Sequence, residues 1–148
     1  TNKDREKGLV DGLKDHQMSL FSFESGNYSQ KQARQATLSM FTADNPPTPD
    51  ALFVASDHMA FAVMDTLRFE LGLSVPQDVS IVGYDDVPMA TWPAYDLTTI
   101  RQPINKMVTC SVDLLMLQIE KGATSERIQI PGPLKMRGSA RKPKGFTP

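Results

Sequence analysis

Short apolar runs alternate along this chain with longer stretches whose apolar residues recur every three or four positions. Leu52-Phe53-Val54-Ala55 and Val79-Ser80-Ile81-Val82-Gly83 are runs of the first kind and predict strands over 51–55 and 79–84. The second run stops on two carboxylates, Asp85 and Asp86, as a buried parallel strand does when a polar site stands at its carboxyl end. Between the runs, Ala60, Val63, Met64, Leu67 and Leu71 form a helical stripe over 58–71, preceded by the capping pair Ser56-Asp57 and closed by Gly72. Strand, helix and strand with short joints predict a right-handed parallel βαβ unit. Upstream, Leu9 and Leu13 predict a helix over 4–16, with Gly8 and Gly12 weakening it, and Leu20 to Phe23 reads as a short strand. Gly26-Asn27-Tyr28-Ser29 is turn chemistry, with Ser29 as the N-cap of a helix over 29–41 that ends at Asn45-Pro46-Pro47-Thr48-Pro49.

The last third is patterned differently. Ile104, Met107, Val108, Ser111, Leu114, Leu115 and Ile119 recur at helical spacing and Gly122 stops them, so a long amphipathic helix is expected that needs a partner surface. Either it folds back on its own sheet or it packs against a second copy of the chain. Arg127-Ile128-Gln129-Ile130 alternates as a strand, Pro131 and Pro133 break it, and Leu134 to Arg137 resumes it. The end of the chain is basic and Pro-containing, as loose tails are.

Composition narrows the class. At 148 residues, 40% hydrophobic and 22% charged, the chain is one ordinary globular unit able to bury a core. A formal net charge of -1 offers no basic stripe, so the chain by itself is not expected to hold nucleic acid strongly. No run approaches the roughly 20 apolar residues of a membrane span, and no basic-then-apolar leader opens the chain. The single cysteine, Cys110, excludes an intrachain disulfide and a cysteine-based zinc cluster, suits a reducing cytoplasm, and is most simply a small apolar residue of the long helix.

Candidate chemistry gathers at the strand ends. A carboxylate closing a buried strand, as Asp85 does, is badly solvated unless it has a partner. Asp85 and Asp86 do not converge on a metal, because adjacent strand residues point to opposite faces; no metal and no cofactor are expected. An enzyme using Asp57, Asp85 and His58 as acid, base and orienter lacks a nucleophile with an adjacent base, a Gly-rich phosphate loop and a metal constellation. The chain is therefore not expected to be an enzyme. A sugar or nucleoside pocket needs carboxylates, a forked guanidinium and an aromatic plate, and Arg5, Tyr28 and Asp85 are of those types.

Several motifs together resemble the effector-binding domain of the LacI/GalR family of bacterial transcription regulators. They are Arg5-Glu6-Lys7-Gly8-Leu9, the run Pro49 to Ala60, Gly83-Tyr84-Asp85 before a Pro-containing loop, Leu97-Thr98-Thr99-Ile100-Arg101-Gln102-Pro103, and Leu134-Lys135-Met136-Arg137-Gly138-Ser139. In the long helix the chain departs from the family, with Met107-Val108 where Leu-Gly is usual and Ser111 where Ala is usual.

The resemblance implies an α/β fold, an open, mostly parallel sheet flanked by helices, of the periplasmic binding protein-like type I kind. It implies that the chain is a fragment: residues 1–99 as a carboxyl-terminal effector-binding subdomain without its first strand, 100–122 as a crossover and long helix that normally packs on an amino-terminal subdomain, 123–141 as a return strand, and 142–148 as a loose tail. By the same resemblance Arg5 bonds the effector, Tyr28 stacks on it and Asp85 accepts from it. Ser56 and His58, at the end of the neighbouring strand, are positioned to face the ligand, while Asp57 caps the helix that follows. Each has an ordinary rival: Arg5 as a solvated surface arginine, Tyr28 as a half-buried turn residue, His58 bonded to nearby backbone. The implied function is sensing of a sugar-like effector in a cytoplasmic, homodimeric regulator that meets operator DNA only through an amino-terminal domain and has no membrane partner. The alternative is a periplasmic sugar-binding protein of an ABC transporter.

Overall fold

Two of the short apolar runs, over 51–55 and 79–84, become neighbouring parallel strands. In the computed structural model, which describes residues 2–42, 48–122, 127–142 and 145, the elements follow as α1 (Asn2–Asp15), α2 (Gln30–Thr42), β1 (Ala51–Phe53), α3 (Asp57–Asp65), β2 (Ser80–Asp85), β3 (Thr98–Arg101), α4 (Ile104–Lys121) and β4 (Leu134–Lys135). The sheet order is β1-β2-β3-β4, with β1, β2 and β3 parallel and β4 antiparallel to β3. Leu52 lies opposite Ile81, Gly83 opposite Thr99, and Asp85 opposite Arg101. Residues 45–47 of the expected helix stop, and 143, 144 and 146–148 of the expected tail, lie outside the described residues.

The core forms where α3 crosses the sheet. Met64 and Leu67 from the helical stripe, with Phe61 beside it, are buried in one cluster with Ile81, Val79 and Leu97, each contributing about 1.5–3 kcal/mol relative to exposure. The stripe predicted over 58–71 is one helix only as far as Asp65; it then widens into a π turn over Thr66–Glu70, closed by the Leu71 N–H donating to Thr66 O at 3.1 Å. The widened turn leaves Leu67 in the core and Phe69 80% exposed. On the far side of α3, Ala33 and Thr37 of α2 are buried, and Ser29 Oγ accepts from the Gln32 N–H at the start of α2, as an N-cap does.

Ser139 ties the strand starts together. It is 1% exposed; its Oγ accepts from the Thr98 N–H at 2.8 Å and donates to Ile81 O at 2.7 Å, while its carbonyl accepts from the Ile81 N–H at 2.7 Å.

Two expected strands do not form. Leu20 to Phe23 lies outside the sheet, with Phe21 58% and Phe23 55% exposed; an apolar run becomes a strand only beside a ladder that bonds its N–H and C=O groups, and among the described residues none pairs with it. Arg127 to Ile130 is likewise irregular. Pairing with β3 begins only at Pro133, whose carbonyl accepts from the Arg101 N–H at 2.9 Å, because prolines 131 and 133 have no N–H to donate.

The long helix has the predicted bounds, with Gly122 at φ 59° ending it in the left-handed conformation glycine adopts freely. It does not fold back on the sheet. None of its residues is buried, and Ile104, Val108, Leu115 and Ile119 are 62%, 56%, 56% and 76% exposed.

Candidate functional site

The carboxyl ends of β1, β2 and β3 carry a connected set of charges. Strand β2 finishes on Asp85 and is followed by Asp86, and both take positive φ, 131° and 59°. That turn sends their carboxylates to different partners. Asp86, with a side chain 1% exposed, accepts from Arg137 Nη2 at 2.5 Å and from Arg101 Nε. Burial pushes its carboxyl up, but the hydrogen bonds and charges of Arg137 and Arg101 outweigh this and hold it below the usual aspartate value.

Asp85 Oδ1 accepts from Gln102 Nε2 at 2.5 Å and lies 3.7 Å from Arg5 Nη2. Arg5 is held on three sides. Its Nη1 donates to Ala55 O at 2.5 Å, beyond the end of β1, and its guanidinium carbon stands 3.9 Å from the centre of the Tyr84 ring, within cation–π range. Arg5 and Asp85 side chains are 19% and 24% exposed, so both face solvent in part.

Asp57 does not cap α3. Ser56 occupies the N-cap position, 5% exposed, without a side-chain cap bond. The fully buried Asp57 carboxylate reaches across the sheet instead: Thr99 Oγ1 donates to Oδ1 at 2.7 Å and the Val87 N–H to Oδ2 at 3.0 Å. These donors lie on β3 and on the loop after Asp86, and a buried carboxylate takes tertiary donors in preference to none. Burial raises the Asp57 carboxyl above its usual value, the two hydrogen bonds offset part of this, and the charge of Asp85 adds to the rise.

The structure thus brings Arg5 and Asp85 together. Tyr28 sits on the turn before α2, 60% exposed with φ 54°; among the described ring contacts, the aromatic beside Arg5 is Tyr84 instead. His58 is exposed on the first turn of α3, its ring edge-on to Phe61 at 6.3 Å. Among the described residues no three His, Cys, Asp or Glu gather as metal ligands. Tyr84 and Gln102 are the site neighbours that pattern reading passes over, although both stand inside the motifs Gly83-Tyr84-Asp85 and Leu97 to Pro103.

Chemically, this is a guanidinium fixed on an aromatic face beside a carboxylate and a carboxamide, a set that donates to and accepts from hydroxyls. It stands outside the carboxyl ends of parallel strands, where open α/β sheets hold their ligands.

The chain belongs to the periplasmic binding protein-like family, whose model matches residues 1–140. Its relatives are LacI-family repressors. It is 36% identical over 97 residues to the ribose operon repressor of Escherichia coli K12, covering 65% of this chain and 29% of that protein. To the ribose operon repressor of Bacillus subtilis 168 it is 32% identical over 144 residues, covering 96% and 43%. A solved structure of the dimeric Lac repressor with an 11-residue C-terminal deletion superposes with a TM-score of 0.82 at 30% identity, covering 94% of this chain and 50% of that one. The chain therefore spans less than half the length of each of these two ribose repressors.

Proposed function

We propose that this chain is the effector-sensing portion of a LacI/GalR-type bacterial transcription regulator. Arg5 and Asp85 receive the hydroxyls of a sugar-like ligand, Gln102 and Tyr84 frame them, and Ser56, His58 and Tyr28 are further candidates for contact with that ligand. The observation that carries the reading is the cluster of Arg5, Tyr84, Asp85 and Gln102 at the strand ends, in a chain whose relatives are repressors of sugar operons. Ligand binding biases the protein between two arrangements, and nothing is chemically transformed.

The whole regulator is cytoplasmic and homodimeric in this reading, and it reaches operator DNA through a domain other than this one. Its dimeric relative supports the second point, and the resemblance to operon repressors supports the first. The resemblance to repressors favours a regulator over a transport protein. The test is calorimetric titration of D-ribose and a panel of aldoses into the protein and into its Asp85→Ala variant. Saturable binding by the parent and none by the variant supports the assignment; equal binding by both refutes it.

A further inference from the structure

We propose that the buried carboxylate of Asp57 is a positioning group of the ligand site: it holds the turn that aims Asp85. The proposal rests on Asp85 being the group that accepts from the ligand, and it gives Asp57 no contact with that ligand.

Asp85 and Asp86 stand in succession at φ 131° and 59°. Such conformations are unfavourable for any residue with a β-carbon and persist only where the surroundings impose them. The φ and ψ of Asp86 are set by the two peptide planes on either side of it. The plane before it is held through its carbonyl, Asp85 O, which accepts from the Gln102 N–H at 3.4 Å, longer than the usual range. The plane after it is held through its N–H, that of Val87, which donates to Asp57 Oδ2 at 3.0 Å. This second bond is the shorter, and its acceptor is fully buried and fixed at its other oxygen by Thr99 Oγ1 at 2.7 Å, in a setting where water does not weaken it.

The ion pairs of Asp86 do not replace this bond. Arg137 and Arg101 fix the Asp86 side chain, but the peptide after it turns about the Cα–C bond without moving that side chain. Once the Val87 N–H is released, the peptide turns and Asp86 relaxes toward negative φ. The neighbour that yields is Asp85, with a side chain 24% exposed against 1% for Asp86. Its carboxylate then leaves the bearing that sets it 3.7 Å from Arg5 Nη2 and on Gln102 Nε2.

The experiment pairs two variants that release opposite ends of the Asp57 carboxylate. Asp57→Asn keeps an oxygen for Thr99 and turns a donor toward the Val87 N–H; Thr99→Val removes the donor to Oδ1 and leaves the acceptor of Val87 in place. Three-bond backbone couplings on the isotopically labelled whole chain report φ at residues 85 and 86 without any ligand. The parent and Thr99→Val are expected to keep positive φ at both residues, and Asp57→Asn to lose it at Asp86. Replacing Val87 by its α-hydroxy acid exchanges the N–H for an ester oxygen and leaves every side chain in place. It should reproduce Asp57→Asn, and the two changes together should do little more than either, as for two halves of one bond. Positive φ retained at Asp86 in Asp57→Asn or in the ester overturns the proposal.

A second arm titrates whichever aldose binds the parent, at a temperature well below the melting point of every variant. Asp57→Asn should bind it about 10- to 100-fold more weakly, while Thr99→Val, although destabilised, should bind it as the parent does. Unchanged binding by Asp57→Asn, or affinity that falls with stability in both variants alike, overturns the positioning role and leaves the site assignment standing. Failure of every aldose to bind the parent overturns the site assignment and the positioning role with it, while the couplings still decide whether Asp57 holds the turn.

Discussion

Asp57 closes so tightly over Gly83 that a β-carbon at residue 83 would lie 2.3 Å from Asp57 Oδ1 and 2.9 Å from Leu97 Cδ2. Glycine is the only residue that lets the buried carboxylate cross β2 to reach β3. Gly83→Ala is therefore expected to displace Asp57 and cost about 1–3 kcal/mol, as overpacking does, read as a fall in the urea midpoint at unchanged slope.

Removing the carboxylate itself should be at least as costly. Asp57→Ala leaves the Thr99 hydroxyl and the Val87 N–H without their acceptor, at about 1–3 kcal/mol for each buried group. Asp57→Asn keeps an oxygen for Thr99 but turns a donor toward the Val87 N–H, so it should fall between the parent and Asp57→Ala in thermal melts.

Acid should separate the two buried aspartates. The folded Asp86 carboxyl titrates below its unfolded value, so its ion pairs stabilise fully above about pH 4, the unfolded aspartate range, and the stability is lost as pH falls through the lower folded value. Asp57 is shifted the other way: between the unfolded and folded values the folded chain keeps a proton the unfolded chain has lost, and this contribution shrinks as pH rises through that window. Urea midpoints followed from pH 7 to pH 3 should fall less in Asp86→Asn than in the parent, and more in Asp57→Asn. Arg137→Met, which breaks one of the two pairs on Asp86, should cost about 3 kcal/mol at neutral pH.

At the ligand end, Arg5→Met removes a charged donor held over Tyr84 beside Asp85. A hydrogen bond to a charged group contributes about 1.5–3 kcal/mol, so aldose affinity should drop by roughly 10- to 100-fold with little change in melting temperature. In the whole regulator, Asp85→Ala should abolish the response to effector while leaving operator binding intact, measured by fluorescence anisotropy on labelled DNA.

The open face of α4 predicts association. Val108, Val112, Leu115 and Ile119 are each more than half exposed, a surface of the kind soluble proteins cover. Sedimentation velocity of this chain should show concentration-dependent assembly at high micromolar levels, and the double variant Val108→Glu, Leu115→Glu should suppress it.

The elements legible in the sequence are those whose signal is local. The stripe from Ala60 to Leu67 and the run from Val79 to Gly83 carry their own periodicity, and the bounds of α4 follow from its spacing and from Gly122. Leu20 to Phe23 and Arg127 to Ile130 were not legible, because a strand depends on the chain beside it and no local pattern reports that. The site divides along the same line. Asp85 and Arg5 stand in motifs dense enough to be found, whereas Asp57 has two local roles open to it, a cap or a tertiary acceptor, and only the approach of Thr99 and Val87 selects between them. Gln102 lies in a quoted motif, yet a glutamine has no periodicity to mark it, and its partner is 17 residues earlier.

The two residues that finish the sheet, Arg137 and Ser139, come after α4 in the chain and act before it in space. A ribosome releases β1, β2 and β3 first, with Asp86 already placed to be buried and only Arg101 to meet it. The second guanidinium, and the serine that staples Ile81 to Thr98, emerge only after α4. Synthesis therefore passes through a stage in which β1, β2 and β3 are laid down but neither the second ion pair on Asp86 nor the serine staple is in place.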